Sequence, residues 1–351
     1  MKKYSFLNTM KMSLVVMSAL LLTFSCGDEF DLFNDELVIT SDYEEVVVLY
    51  ANLDLQKEIN LIRVNRAFAA TGFADVNYIQ DSIQFAPDNI DVFFHKIYKG
   101  DTTSYLCYDT VVEKEESDFF NTGEVILYAF RESRLLENDI NDLEFLLTVH
   151  NKKSGSVTSA ATLPVANFTF DKPSAMWDDF GFGIETYEVS LNAPGNSQAY
   201  QVTANVGYRE ITYINGDYDT IFHEFTLNVG STIVGTPSES EKIIFEPSSK
   251  AFYSKVASHV RTYGDTVNAL SRKFTGVRFT AICGNPDLAL AIASGATSTG
   301  FHDNTTTFSN VNNGIGYVSA YNKKLTRNLT IKNQTVEYLE DNYPQFRFVR
   351  N

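Results

Sequence analysis

Tryptophan occurs once in this 351-residue chain, cysteine three times, histidine five times and proline eight times. Each scarcity excludes something. The histidines (His95, His150, His223, His259 and His302) are scattered, with no H-x-x-x-H pair and no C-x-x-C to join them. Close-spaced zinc motifs are therefore absent, which leaves only a metal site assembled from distant strands, and no metal or other cofactor is expected. Basic residues are also scarce, 28 against 44 acidic ones, for a formal net charge of −16. Nucleic-acid binding needs a basic face to displace counterions, so this balance argues against it. It argues equally against attachment to anionic lipid headgroups by charge alone. Long apolar runs are missing too. Leu14 to Phe24 is the one unbroken stretch, too short for a stable spanning helix, and no later segment approaches about eighteen residues.

The start of the chain holds the clearest signal. Lys2, Lys3 and Lys11 form a basic region, the Leu14–Phe24 run follows, and Ser25-Cys26-Gly27 comes next. A basic n-region before a short apolar h-region describes a secretory signal peptide, here residues 1–25. A cysteine at the end of that run occupies the lipid-attachment position of bacterial lipoproteins, so Cys26 is the expected acylation site. Residues 26–44 are acidic and aperiodic and read as a tether. Export permits disulfides. Cys107 and Cys283, however, lie in apolar strand-like stretches of what read as different domains, so two separate buried thiols are expected.

Strand signals then crowd the chain. EVVVLYANL, EINLIRVNRAF, NIDVFFHKIY, YLCYDTVV, GEVILYAF and LEFLLTVHN are rich in β-branched and aromatic residues and are separated by polar clusters. EFLLTVHNKKSGSVTSAAT reads as two strands around Lys153-Ser154-Gly155, with glycine free to adopt positive φ. Asp171-Lys172-Pro173-Ser174 breaks the pattern. This gives an N-terminal domain at 45–171 and a C-terminal domain at 172–351. In the second, Phe252, Tyr253, Val256 and Val260 share a helical face after Pro247, and Pro286 to Ile292 reads as a short helix stopped by Gly295. The expected fold is mainly β: two antiparallel β-sandwich domains, immunoglobulin-like or transthyretin-like, the second with helical insertions.

The order CGDEFD, VVVLYANLDLQKEINLIRVNRAF, LTVHNKKSGSVTSAATL and FSNVNNGIGYVSAYNKK resembles a set of uncharacterised outer-membrane lipoproteins of Bacteroidota. The segment Ile62-Arg63-Val64-Asn65-Arg66-Ala67-Phe68 and the motif Ser309-Asn310-Val311-Asn312-Asn313-Gly314-Ile315-Gly316 carry the likeness. It implies an outer-membrane, lipid-anchored location and no established activity. The acidic cluster Asp28, Glu29 and Asp31 resembles the surface-export signal of such proteins and implies that the chain faces the cell exterior. Asp-Ser/Thr before a small apolar residue or threonine recurs at Ser82, Thr102, Thr110, Thr220 and Thr266, where chance gives about one or two. The pattern resembles the O-glycosylation acceptor of exported Bacteroidota proteins, on exposed loops, although Asp-Thr also initiates turns.

No residue set converges on catalysis. Gly195-Asn196-Ser197-Gln198-Ala199 falls one residue short of a nucleophile elbow and lacks the strand-serine-helix setting. Asn215-Gly216-Asp217-Tyr218-Asp219 places oxygens at alternate positions, but a calcium loop would continue with acidic ligands. Asp178 and Asp179 beside Trp177 suggest a sugar subsite with an acid pair. Adjacent strand residues face opposite ways, however, so the expectation is that Trp177 packs at the domain junction. The expected function is a non-catalytic ligand- or partner-binding accessory protein, with an outer-membrane transporter or a surface glycan as partner. A fimbrial or adhesin-like subunit is the rival, and a hydrolase the third class. Two segments are candidates for the functional surface: the helix near 247–261, and the polar stretch from Phe301 to Gly316.

Overall fold

The computed structural model describes residues 46–67, 84–113, 124–137, 139–238, 241–295 and 308–350, and these belong to one compact unit. Cys26, the tether, Ser82 and His302 lie outside the described residues. The chain is mainly β. In its first half, β1 (Val47–Asp54), β2 (Ile59–Arg66), β3 (Ile90–Tyr98), β4 (Asp101–Leu106), β5 (Tyr108–Glu113), β6 (Glu124–Arg131), β7 (Leu143–Asn151) and β8 (Val157–Thr162) follow one another. The second half adds β9 (Phe170–Lys172), β10 (Asp179–Phe180), β11 (Val189–Asn192), β12 (Ala199–Ile214), β13 (Asp217–Ile233) and β14 (Lys242–Phe245). Helix α1 (Ser249–Tyr263), β15 (Ala269–Gly284), helix α2 (Pro286–Ala293), β16 (Val311–Asn312), β17 (Ile315–Leu325), β18 (Thr330–Ile331) and helix α3 (Asn333–Asn342) complete it.

An eight-stranded sheet in the order β13-β12-β15-β17-β1-β2-β6-β5 runs through the molecule, and only its β1–β17 pairing is parallel. A five-stranded sheet, β16-β8-β7-β3-β4, packs on its first-half strands. Phe94 of β3 stacks on Phe130 of β6 at 3.9 Å between ring centroids, so the two sheets meet face to face as sandwich layers. The strip β14-β11-β9 and helix α1 cover the other end: Phe245 of β14 sits so close beneath Gly230 of β13 that a Cβ there would meet its ring at 2.7 Å. One continuous apolar cluster joins Leu49 and Phe145 to Val206 and Phe252.

The expected division at residues 171 and 172 does not coincide with a break in this sheet. Strands from both sides pair directly, because β17 lies beside β1. The Ser309–Gly316 motif explains how. Asn310 donates its side-chain amide to the Val318 carbonyl and accepts from the Val318 amide. Asn313, at φ 55°, donates to Val157, while the Thr158 hydroxyl donates back to Asn313. A Cβ on Gly316, at φ +112°, would lie 2.1 Å from the Leu49 carbonyl oxygen. Only glycine lets the backbones approach this closely. The polar stretch expected to bind partners is thus, from Phe308 onward, a clasp between the two sheets. Residues 301–307 lie outside the described residues.

Helix α1 begins at Ser248, which caps the Lys250 amide, and buries Phe252, Tyr253, Val256 and Val260 as their spacing predicts. Helix α2 starts behind the Asn285 cap with Pro286 at its first turn, as expected, and Gly295 follows its end at φ +74°. Cys107 and Cys283 are free and buried, and burial pushes the Cys107 thiol up to about 12. No described helix is long and apolar enough to cross a membrane.

Candidate functional site

Phe180, Gly181 and Gly183 line a small cavity, and Phe182 between them packs into the core. Phe180 and Phe182 are buried, and Phe182 stacks on Phe252 of α1 at 3.6 Å. Its amide accepts no slack either, donating to the Thr335 hydroxyl of α3. The Ser249 hydroxyl donates to its carbonyl, and Tyr253 donates to the carbonyl of Gly183 at 2.7 Å. Upstream, the Trp177 carbonyl accepts from Arg327, whose guanidinium also pairs with Asp178 at 2.8 Å. Asp179 and Phe180 pair in parallel with Thr330 and Ile331, and the Lys332 amide donates to Phe180. Residues 177–183 are therefore fixed on both flanks, and a Cβ at Gly181 would lie 3.2 Å from the Lys332 stem.

The resulting cavity has a volume of about 290 Å³. Trp177, 38% exposed, stands at it with Lys332, whose ammonium lies 5.9 Å from the indole centroid. Lys172 Nζ bonds Glu188 at 2.7 Å, and that hydrogen bond holds the lysine above its ordinary pKa. Lys332 pairs loosely with Asp179 at 3.6 Å. Gln334, in the first turn of α3, adds an amide. Tyr187 also lines the cavity. It is only 5% exposed, its hydroxyl has no hydrogen-bond partner, and burial raises its pKa strongly. A buried hydroxyl left without a partner is uncommon, because desolvation of the group goes uncompensated.

Trp177, expected to pack at the domain junction, is part-exposed and stands at this cavity. The acid pair beside it is split as expected, Asp178 towards Arg327 and Asp179 towards Lys332, so no glycosidase geometry forms. The other sequence candidates are structural. Ser197 is buried, donates to the Pro194 carbonyl, and shares a hydrogen bond with Tyr200, with no histidine in its contacts. Asn215 and Gly216, both at positive φ, form the two-residue turn of the β12–β13 hairpin. Thr102, Thr110 and Thr220 lie on β4, β5 and β13, each the outermost strand of its sheet, not on loops. Thr266 is exposed in the turn after α1. Among the described residues no three histidine, cysteine or carboxylate side chains gather as a metal set.

A second polar cluster lies beneath α1. Arg272 of β15 and Glu210 of β12 are both about fully buried, with Nε and Nη2 donating to one Glu210 oxygen at 2.6 and 2.5 Å. Arg272 also donates to the Asp265 and Phe346 carbonyls, and Glu210 accepts from the Asp265 amide. His223 Nε2 sits 3.8 Å from Glu210, and His259 bonds the Tyr208 hydroxyl. Burial first, then the charges of His223 and Lys255, lower the His259 pKa. Every strong bond in this cluster is internal. It ties the chain's end to the sheet. A groove of about 480 Å³ between α2 and the β12–β13 edge is lined by aliphatic side chains such as Ile233, Ile282 and Leu288.

No family model matches the chain, and no curated protein matches it. Among solved structures, the C-terminal globular domain of an oligosaccharyltransferase from Pyrococcus abyssi is similar at 11% identity and a TM-score of 0.24. The match covers 67% of this chain and 43% of that one, so this chain spans less than half of its length. A likeness of that strength carries no argument.

Proposed function

We propose that this chain is a non-catalytic lipoprotein of the outer membrane, held by acylated Cys26 and facing the cell exterior. It binds a small ligand in the Trp177 cavity as an accessory to an envelope partner, such as an outer-membrane transporter. The observation that carries the reading is the cavity itself: a part-exposed indole, two lysine–carboxylate pairs and the Gln334 amide around one small space. Binding sites are concave with a few placed polar groups, as here. Exposed Thr102, Thr220 and Thr266, with half-buried Thr110, are accessible to O-glycosylation; Ser82 completes the proposed set.

Two measurements test this. Cys26→Ser should leave the membrane fraction and lose labelled palmitate. Native mass spectrometry of protein taken gently from its host membranes should show a small co-purifying species. That species should be absent from Gly181→Leu, whose side chain would enter the cavity past the flexible Lys332 stem. An identical spectrum for both proteins would place ligand binding elsewhere. One observation favours the rival structural subunit: β5 and β13 are open edges of the same sheet. Each carries a Tyr-Asp-Thr segment, Tyr108-Asp109-Thr110 and Tyr218-Asp219-Thr220. Copies joined edge to edge would sediment as a ladder of oligomers.

A further inference from the structure

We infer that the ligand of the Trp177 cavity is a neutral sugar ring, stacked by its C–H face on the indole; this rests on the reading of that cavity as the binding site. The first argument is charge. Lys172 is already paired with Glu188, and Lys332 with Asp179. A carboxylate, phosphate or ammonium ligand would have to break one of these pairs, while the chain's net charge of −16 repels anions at long range. A polyol needs neither. It uses the lone pairs and N–H groups that the two pairs leave over.

The second argument is the inventory of partners. A pyranose offers hydroxyls that both donate and accept, on adjacent ring carbons. Around this cavity stand ammonium donors, carboxylate acceptors and the Gln334 amide that does both. An aliphatic or aromatic ligand would leave those groups unpaired, which is costly in a desolvated site.

The third argument is the indole. The Lys332 ammonium stands over its face at 5.9 Å, near the outer limit for a cation–π contact. Lys332 is half exposed and its ion pair is long, so little holds the ammonium there. A sugar ring can displace it and bury the apolar surface that water now meets. Gly181 gives the Lys332 stem its room, since a Cβ there would lie 3.2 Å from it, and a ring that displaces the lysine gains that space. A volume of about 290 Å³ is at the small end for ligand sites and suits one ring.

Trp177 is the only tryptophan of the chain, so its emission reports this site alone. The full lipidated protein, in a detergent without a sugar headgroup, is titrated with the methyl glycosides of glucose, galactose, mannose and N-acetylglucosamine. Glucuronate, glucosamine and glycine betaine serve as charged probes. At least one neutral glycoside should change the emission saturably, with a Kd on the order of 1 mM for so small a ligand. Gly181→Leu should abolish the change, and Gln334→Ala should weaken binding about fivefold while melting normally. Saturation with a charged probe only would overturn the sugar assignment and leave the cavity reading standing. So would silence towards every probe if a co-purifying species is still lost in Gly181→Leu. Silence together with identical native mass spectra would overturn both.

Discussion

Removing the Arg272 guanidinium tests the energetics of the cluster beneath α1. Arg272→Met keeps most of the side-chain volume and deletes the donors to Glu210, Phe346 and Asp265. Glu210 would then be a buried carboxylate with the Asp265 amide at 2.9 Å and His223 at 3.8 Å as its remaining polar neighbours. Breaking a buried pair from one side costs about 3–5 kcal/mol, against roughly 0–1 kcal/mol for a solvent-screened pair. The exposure of both side chains, 1%, puts this pair in the first class. At about 2–4 °C per kcal/mol for domains approaching this size, the melting temperature should fall by roughly 6–20 °C. The double variant Glu210→Leu/Arg272→Met removes the stranded charge, and it should recover part of the loss even though two carbonyls lose their donor. Urea unfolding followed by circular dichroism gives all four corners of the cycle. A single-variant loss below about 1 kcal/mol, or a double variant no better than the sum of the singles, would refute the reasoning.

Three further outcomes are expected. Gly316→Ala combines a left-handed φ with a contact to the Leu49 carbonyl, and should lower unfolding free energy by more than about 2 kcal/mol in the same assay. His259 and His95 both have pKa values lowered from 6.5, chiefly by burial, so folding opposes their protonation; stability should be full above pH 6.5 and decline as pH falls below it, read from urea midpoints across that range. A thiol reagent at neutral pH should label neither Cys107 nor Cys283 in the folded protein and both in urea, because each is buried and its thiolate disfavoured.

Local structure was legible wherever short-range periodicity decides it. The alternation in LEFLLTVHN and the three-four spacing around Phe252 both match the observed strand and helix. What escaped is long-range. The β1–β17 pairing joins residues 267 apart, as with Ser319 and Asn52, and no local pattern announces it. The Asn310–Gly316 segment has the composition of a mobile loop, yet Asn310 and Asn313 are spent on backbone groups and its glycines on close packing. At the cavity, Trp177 and its flanking acids stood out in the sequence. Glu188, Lys332 and Tyr187 did not, since each is ordinary until β10 pairs with β18 and draws them together. The glycines of Phe180-Gly181-Phe182-Gly183 were a local hint, marking where Lys332 and the Thr186 carbonyl approach the backbone.

The place of β1 has a mechanical consequence. It is bonded on one side to β17, in parallel, and on the other to β2, in antiparallel register. A pull on the chain just before Val47, directed along the strand, therefore loads both ladders lengthwise, with many hydrogen bonds sharing the force together. An outermost strand pulled sideways would instead unzip one bond at a time. A protein fastened to a surface through its N-terminal end, and tugged by whatever it holds, would resist at the strand best placed to bear it.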